Sequence, residues 1–436
     1  MNRILFVVAH LFFKPKVLFL YFYYMYCRNC SQSELEYKLS QRLRGFLQFC
    51  MREVPFYNGK IEMDGDVFEV IDKMPIINKL DIIKNRDVIE VYDPHNNESK
   101  TVSTGGSTGE PLVYRLSNSC DQASLALLYR GWSKGGYRLG DKVAVLAGGS
   151  LVGKSSTLKS KLISYCLSMR KYSSYGMDDS ILEKYAIDMV KWKPKFLRGY
   201  PSSIYELAKF VDAERDRFQI NLKSIFTTAE MLSSAQRKYI ENVFQCPVYD
   251  GYGLNDGGLS AFECEFHDGY HIDTERGYLE VVDEGGRRIY GRVGRIVATS
   301  FINKATPFVR YDTGDLGVVS QEKCECGSSY PLLKSLEGRV TDMIEFGGFK
   351  IGTPVLTVLM GPVLVNKYQF IQESNNCIRV VLSVSDEYEF EVSEKYIENS
   401  LRSHLGDIDV VFDYSGGFVL SKSGKHKIAV KGDCFE

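Results

Sequence analysis

The sequence predicts an α/β fold: a large N-terminal domain of layered sheets that includes a barrel-like subdomain, followed by a small α+β domain at the C-terminus. Three observations carry this. Strand-like and helix-like runs alternate through the first part of the chain, short alternating strands take over near Tyr270, and Gly338-Arg339 precedes a compact tail. With 436 residues, 44% hydrophobic and 25% charged, the chain has length for a large core and a second domain.

At the N-terminus, Ile4 to Phe13 and Val17 to Tyr26 are apolar runs broken by Lys14-Pro15-Lys16. Neither reaches the roughly 20 residues that span a bilayer, and no small-residue cleavage site precedes Lys14. They predict two helices packed on the body, and a segment lying on a membrane surface is the other reading. Leu35, Leu39, Leu43, Phe46 and Leu47 have helical spacing between Ser31 and Arg52, and Val54-Pro55 turns the chain. Residues 1–57 thus form an N-terminal helical segment. Strands follow at Lys142 to Ala147, Phe196 to Arg198 and Ser224 to Thr228, with helices over Leu158 to Met169 and Ser202 to Phe210. Beyond Tyr270, Tyr278 to Val282 and Arg295 to Thr299 alternate as strands, separated by Gly285-Gly286 and Gly291. A boundary at Glu337 to Thr341 divides the chain into 1–337 and 338–436. The second part shows strands at Ile378 to Val384 and Val410 to Phe412 and a helix from Ser393 to His404.

Lys and Arg number 54 against 55 Asp and Glu, a formal charge of −1, which lacks the basic excess of a nucleic-acid binder. Eleven cysteines without a regular framework predict reduced thiols in a cytoplasmic setting, where metal ligation is the use to look for.

Two glycine-rich loops compete for a polyphosphate. In Ser103-Thr104-Gly105-Gly106-Ser107-Thr108-Gly109-Glu110-Pro111, glycines let backbone N–H groups turn inward and hydroxyls add donors. Gly148 to Ser155 fits the G-x-x-x-x-G-K-[ST] pattern of P-loop NTPases between a strand-like and a helix-like run. A P-loop enzyme also needs an apolar strand ending in an aspartate that orders Mg²⁺. The nearest candidate, Leu279 to Asp283, carries Glu280 inside and runs into Gly285-Gly286, so it reads as a hairpin. Gly148, Gly149 and Ser150 remain candidates for the substrate side.

Further elements recur in order: Thr227-Thr228-Ala229-Glu230, Asp250-Gly251-Tyr252-Gly253-Leu254-Asn255-Asp256, Arg310 to Asp315, Gly338-Arg339-Val340-Thr341-Asp342 before Gly347-Gly348, and Ser423-Gly424-Lys425. With the loop at 103–111, this set resembles the adenylate-forming superfamily, in its phenylacetate-CoA ligase-like branch, which includes enzymes of capsular polysaccharide gene clusters. The resemblance covers nearly everything from Ser31 onward. It implies ATP-dependent activation of a small carboxylic acid to an acyl-adenylate and pyrophosphate, then acyl transfer to CoA, a carrier protein or an amine. Residues 338–436 would be a mobile lid that exchanges Lys425 for the Gly347-Gly348-Phe349-Lys350 face. Ser103, Thr104, Gly105, Gly106, Ser107, Thr108 and Gly109 would grip the leaving pyrophosphate. Glu230, Asp250, Gly251, Tyr252 and Gly253 would flank the nucleotide, with Tyr252 a flat face for adenine. Asp315 would accept from both ribose hydroxyls and Arg339 would contact the ribose or the hinge. Asp256, where the family usually has glutamate, would offer oxygen to Mg²⁺. Lys425 would stabilise charge growing on the α-phosphate. A homodimer is compatible with the sequence.

Cys264-Glu265-Phe266-His267 and Cys324-Glu325-Cys326 supply three thiolates and an imidazole, which suit a closed structural Zn²⁺ site at Cys264, His267, Cys324 and Cys326. Related chains carry a similar set. Cys27 and Cys30 sit in an aromatic helical run and read as packing. The acid is not legible because its pocket is built from dispersed residues, and the acceptor is equally unresolved; the alternative readings are a P-loop NTPase using Gly148 to Ser155 and a non-catalytic zinc-bearing scaffold with an adenylation fold.

Overall fold

A computed structural model describes residues 2–60, 63–91, 99–103, 112–148, 163–174, 176–339, 343–346, 349–352, 356, 359–360, 362–385, 387–420 and 426–431. Helices α1 (Asn2–Phe13) and α2 (Lys16–Cys27) meet at 109°. Neither is long and apolar enough to cross a membrane. Phe6, Val17, Tyr21 and Tyr24 pack inward on α7 (Asn118–Lys134) beside Tyr129 and Trp132. Phe12 and Phe19, on the outer side, are 81% and 74% exposed. Helix α3 (Gln32–Glu53) starts at a Ser31–Glu34 capping box that satisfies donors at both positions. Its inward stripe is Leu35, Leu39, Leu43, Phe46, Leu47 and Cys50. Short helices α4 (Val67–Asp72), α5 (Lys79–Lys84) and α6 (Arg86–Ile89) continue that packing. The hairpin β1 (Ser99–Ser103) and β2 (Val113–Ser117) follows, with Ser103 opposite Val113. Thr104 to Pro111 lie outside the described residues.

The large sheet holds eleven strands among the described residues. Strands β3 (Val143–Ala147), β4 (Met169–Ser173), β5 (Phe196–Gly199), β6 (Ser224–Thr228) and β7 (Val248–Leu254) run parallel in the order β4-β3-β5-β6-β7. Alternation along them sorts side chains to two layers. Val143, Val145, Phe196 and Phe226 face α7. Ala144, Leu146, Leu197, Ile225 and Val248 face the layer of α8 (Asp179–Trp192), α9 (Pro201–Ala213) and α10 (Ser234–Phe244). Of the helix expected over Leu158 to Met169, residues 158–162 lie outside the described residues, 163–166 are helical, and Met169 itself opens β4. Of the P-loop-like run, Gly149 to Ser155 lie outside them too.

The antiparallel half is β8 (Leu259–Glu263), β9 (Tyr270–Ile272), β10 (Gly277–Val282), β11 (Gly294–Ser300), β12 (Tyr311–Ser320) and β13 (Leu332–Arg339). It joins the parallel half through β7–β8 pairing, in the order β7-β8-β9-β13-β12-β11-β10. In a flat sheet β7 and β12 would stand four spacings apart, about 19 Å. The Tyr252 hydroxyl in β7 instead reaches Asp315 in β12 at 2.9 Å, so this half curls back on itself. Leu259, Ala261, Ile272, Leu279, Val281, Ile296, Ala298 and Leu333 fill the curl. The barrel-like texture expected beyond Tyr270 is thus a curled extension of the parallel sheet.

After Arg339 the chain forms a hairpin of β14 (Met343–Phe346) and β15 (Phe349–Gly352) and a four-stranded sheet ordered β18-β17-β16-β19. These are β16 (Val365–Gln372), β17 (Cys377–Val384), β18 (Asp409–Asp413) and β19 (Ala429–Lys431). Helix α11 (Phe390–Leu405) covers them with Ile397, Leu401 and Leu405 on Phe370, Val380 and Leu382.

The carboxyl ends of β5 and β3 approach so closely that a Cβ on Gly199 would run into the Leu146 carbonyl oxygen. Gly199→Ala is therefore expected to destabilise the protein by about 2 kcal/mol through overpacking, read as a lower denaturant midpoint. An unchanged midpoint would show that the strands can part without loss.

Candidate functional site

All five parallel strands point their carboxyl ends to one edge, the place where open α/β sheets bind ligands. A cavity of about 420 Å³ lies there under α7, lined among others by Trp132, Arg198, Phe226, Thr228, Gly251 and Tyr252. Its far rim belongs to the curled half. Asp315 accepts from Tyr252 through Oδ2 at 2.9 Å and from Arg339 Nε through Oδ1 at 2.9 Å. The β12–β13 register sets Asp315 opposite Arg339, and a bulge in β12 with Gly314 at φ +73° turns the carboxylate toward β7. Burial, then the neighbouring Asp315, holds the Tyr252 phenol well above its ordinary value, so it stays a donor. An ionised carboxylate offers about four acceptor sites, so Asp315 retains capacity for two ligand hydroxyls.

Glu230 sits just past β6, after Ala229 at φ +70°. Its Oε2 accepts from the Ser202 N–H at 3.1 Å, and its Oε1 accepts from the His426 N–H at 3.0 Å. Glu230 is thus a joint between the large sheet and the C-terminal unit, where the sequence suggested a nucleotide contact. Burial raises its pKa. The His426 side chain donates through Nε2 to the Tyr368 carbonyl at 2.9 Å, and burial lowers its pKa to about 3, so the ring is neutral. Lys425 lies outside the described residues, but its neighbour is pinned to the end of β6.

Asp250, expected to flank the nucleotide, lines the cavity and is also tied into the sheet. It is buried, accepts from Thr227 Oγ1 at 2.6 Å and Tyr270 Oη at 2.8 Å, and its N–H donates to Glu263 Oε2 at 2.7 Å. It braces β6, β7, β8 and β9 together. Gly251 and Gly253 leave the cavity wall without side chains beside it. Asp256, in the turn after β7, adds its charge to burial in holding the protons on the Tyr114 and Tyr311 phenols. Ser103 closes β1, and Thr104 to Gly109 lie outside the described residues. Gly148 follows β3 at the same sheet edge.

Sequence reasoning missed three arginines. Arg276 donates to Asn255 Oδ1 and the Leu259 carbonyl, each at 2.6 Å, and fixes the turn that carries Asp256. Arg130, buried in α7, pairs with Asp273 and with Glu275 and donates to Tyr330 Oη. Arg198 lies in the cavity itself. A lone arginine in an apolar run was the signal for Arg130, whereas Arg276 follows Asp273-Thr274-Glu275 and Arg198 sits in a four-residue strand, where local sequence carries none.

A cluster of Cys264, His271, Cys324 and Cys326 keeps its ligand atoms within 4.8 Å of one another. Cys264 Sγ lies 3.6 Å from Cys324 Sγ, and His271 Nε2 lies 3.2 Å from Cys326 Sγ. Tetrahedral zinc with Zn–S of about 2.3 Å sets thiolates roughly 3.8 Å apart, so the donor set fits. The histidine differs from the expectation. His267, at φ +52°, turns away in the β8–β9 connection, and its Nδ1 lies 3.1 Å from both Glu263 Oε2 and Arg237 Nη1. His271 in β9 takes the place because β9 pairs with β13 and faces the cysteine loop that β13 follows.

No family model matches the chain. Protein CapK of Staphylococcus aureus is 25% identical over 405 residues, 90% of this chain and 88% of the relative. A phenylacetate-coenzyme A ligase of Thermus thermophilus is 24% identical over 395 residues, 86% of this chain and 85% of the relative. Among solved structures, 2-hydroxyisobutyryl-CoA ligase in a postadenylation state with R3-HIB-AMP matches with a TM-score of 0.71 at 19% identity, covering 94% of this chain and 92% of that one. The same enzyme in its thioesterification state scores 0.59 at 20% identity, covering 92% and 90%. These likenesses run the length of the fold, and the described motif residues Tyr252, Asp315 and Arg339 meet at one rim: along nearly its whole length the chain is similar to the phenylacetate-CoA ligases and CapK.

Proposed function

We propose that the protein activates a small carboxylic acid with ATP, releasing pyrophosphate, and passes the acyl group from the acyl-adenylate to the thiol of CoA. The Asp315 carboxylate, held by Tyr252 and Arg339 at the cavity rim, is the observation that carries this reading. Asp315 would accept from the ribose hydroxyls and Tyr252 would lie against the adenine. An oxygen of the acid attacks the α-phosphorus, and the loop 103–109 takes the departing pyrophosphate. Asp256 would be the oxygen donor for Mg²⁺. Attack of the thiol on the acyl carbon then expels AMP. CoA is favoured as acceptor by the relatives named for it; a carrier protein or an amine would make the second step differ while leaving the first unchanged. Delivery of the acyl group to a surface polysaccharide is the setting that the sequence resemblance implies.

Residues 338–436 are the moving part in this proposal. With His426 on Glu230, the described part of the C-terminal unit suits an adenylating arrangement in which Lys425 would act, and the higher score of the postadenylation structure accords with that. Rotation would break the His426–Glu230 contact and bring the β14–β15 hairpin to the site. The cluster at Cys264, His271, Cys324 and Cys326 would hold a structural Zn²⁺ with no open position. Exposed Phe12 and Phe19, with Lys16 beside them in sequence, suit a cytoplasmic protein that touches a membrane surface.

Pyrophosphate release across a panel of acids tests the reaction, and AMP rather than ADP is the expected nucleotide product. Lys425→Ala should lower adenylation by at least about 100-fold, yet spare thioester formation from supplied acyl-adenylate. Equal loss of both half-reactions would contradict the two-state lid. For the metal, elemental analysis of purified protein should find stoichiometric zinc that His271→Ala and Cys326→Ser remove, with a lowered Tm, and that His267→Ala retains. Zinc lost from the His267 variant and kept in the His271 variant would reverse the assignment.

A further inference from the structure

We propose that the acid activated here carries a second anionic group, remote from its reacting carboxylate, and that Arg198 binds it. This rests on the acid-activating reading and names its substrate class. The strand register sets the distance. Arg198, Phe226 and Tyr249 are neighbours across β5, β6 and β7, while Thr228 and Gly251 are neighbours two residues further on, at the carboxyl edge where Tyr252 and Asp315 stand. Two residues of strand are about 6.6 Å. All of these line the one cavity except Asp315, so the cavity runs inward from the nucleotide rim to Arg198. Leu125, Leu128, Trp132 and Phe226 make its walls apolar.

The other described charged groups on that lining already have partners. Lys14 pairs with Asp121 at 2.5 Å, and Arg276 is bound by the Leu259 carbonyl and Asn255. Asp250 is held by Thr227 and Tyr270, and Glu263 by Arg237 at 2.6 Å. Arg198 differs. Among the described residues neither a carboxylate nor a carbonyl or amide oxygen meets it, whereas Arg276 has two such oxygens; its Nε is buried with no hydrogen-bond partner, and its guanidinium stands 5.4 Å from the Trp132 ring centroid. Burial lowers its pKa to about 10, which leaves it charged at neutral pH. A desolvated cation is unfavourable until an anion meets it, and a planar guanidinium suits a carboxylate through two parallel hydrogen bonds. A purely apolar acid would fill the cavity and leave that charge uncompensated.

The test compares linear α,ω-diacids of four to eight carbons and carboxyphenyl acids, each with its monoamide, by acid-dependent ATP–pyrophosphate exchange. A sulfonate analogue of the best diacid separates a need for charge from a need for a carboxylate. The wild-type protein should favour the best diacid over its monoamide by roughly 30-fold in kcat/KM, the range of a charged hydrogen bond. Arg198→Met should erase that preference while still turning over the monoamide, and Arg198→Lys should restore part of it. Wild-type preference for the monoamide, or a preference that survives in the methionine variant, would overturn the assignment of Arg198 while leaving acid activation standing. The wild-type comparison alone decides this if the methionine variant does not fold. Exchange with no acid of either kind would instead overturn the acid-activating reading, and this inference with it.

Discussion

The hydrogen bond from Tyr252 to Asp315 joins two strands that lie far apart in the order of one sheet. It can form only because the sheet is parallel up to β7 and antiparallel and curled beyond it. The parallel half opens a crevice at its carboxyl edge, and the curled half brings a carboxylate to the rim. Arg339, the last residue of β13, completes the pair, so the rim is also the place where the chain leaves for its C-terminal unit. In the proposed reaction, nucleotide contact and lid attachment would share one strand end.

Helix α7 links this rim to the metal cluster. Its Trp132 walls the cavity, and its Arg130 is buried against Asp273, Glu275 and Tyr330. Breaking one partner of such a buried pair leaves a bare charge, which is strongly unfavourable, so the helix has little freedom to shift along the sheet. Tyr330 closes the loop that carries Cys324 and Cys326, and β9 next to it carries His271. A metal in that cluster would fix the connection between β12 and β13, and through it the setting of Asp315 opposite Arg339.

Much of this was legible in the sequence where one residue type has one sensible use. Ser224 to Thr228, bounded by turns and rich in β-branched side chains, is strand β6, and the leucine stripe from Leu35 is α3. That Tyr252 and Asp315 would face one ligand was implied by the resemblance, while the hydrogen bond between them was not legible. His271 was hidden because Cys264 and His267 mimic finger spacing, whereas the left-handed turn at His267 and the pairing of β9 decide which imidazole faces the thiols. Asp250 and Glu230 sit inside recognisable motifs, yet their partners Tyr270 and His426 come from distant segments that local pattern does not connect. Arg198 was invisible for the same reason: an arginine in a four-residue strand looks solvated until its neighbours are known.

The central claim is that an oxygen of the acid becomes bonded to the α-phosphorus of ATP. Running the reaction with an ¹⁸O-labelled carboxylate and analysing the nucleotide by mass spectrometry tests it most directly. Acyl transfer must then leave one labelled oxygen on AMP. Label in inorganic phosphate with ADP as the nucleotide, or unlabelled AMP alongside acyl product, would contradict the account.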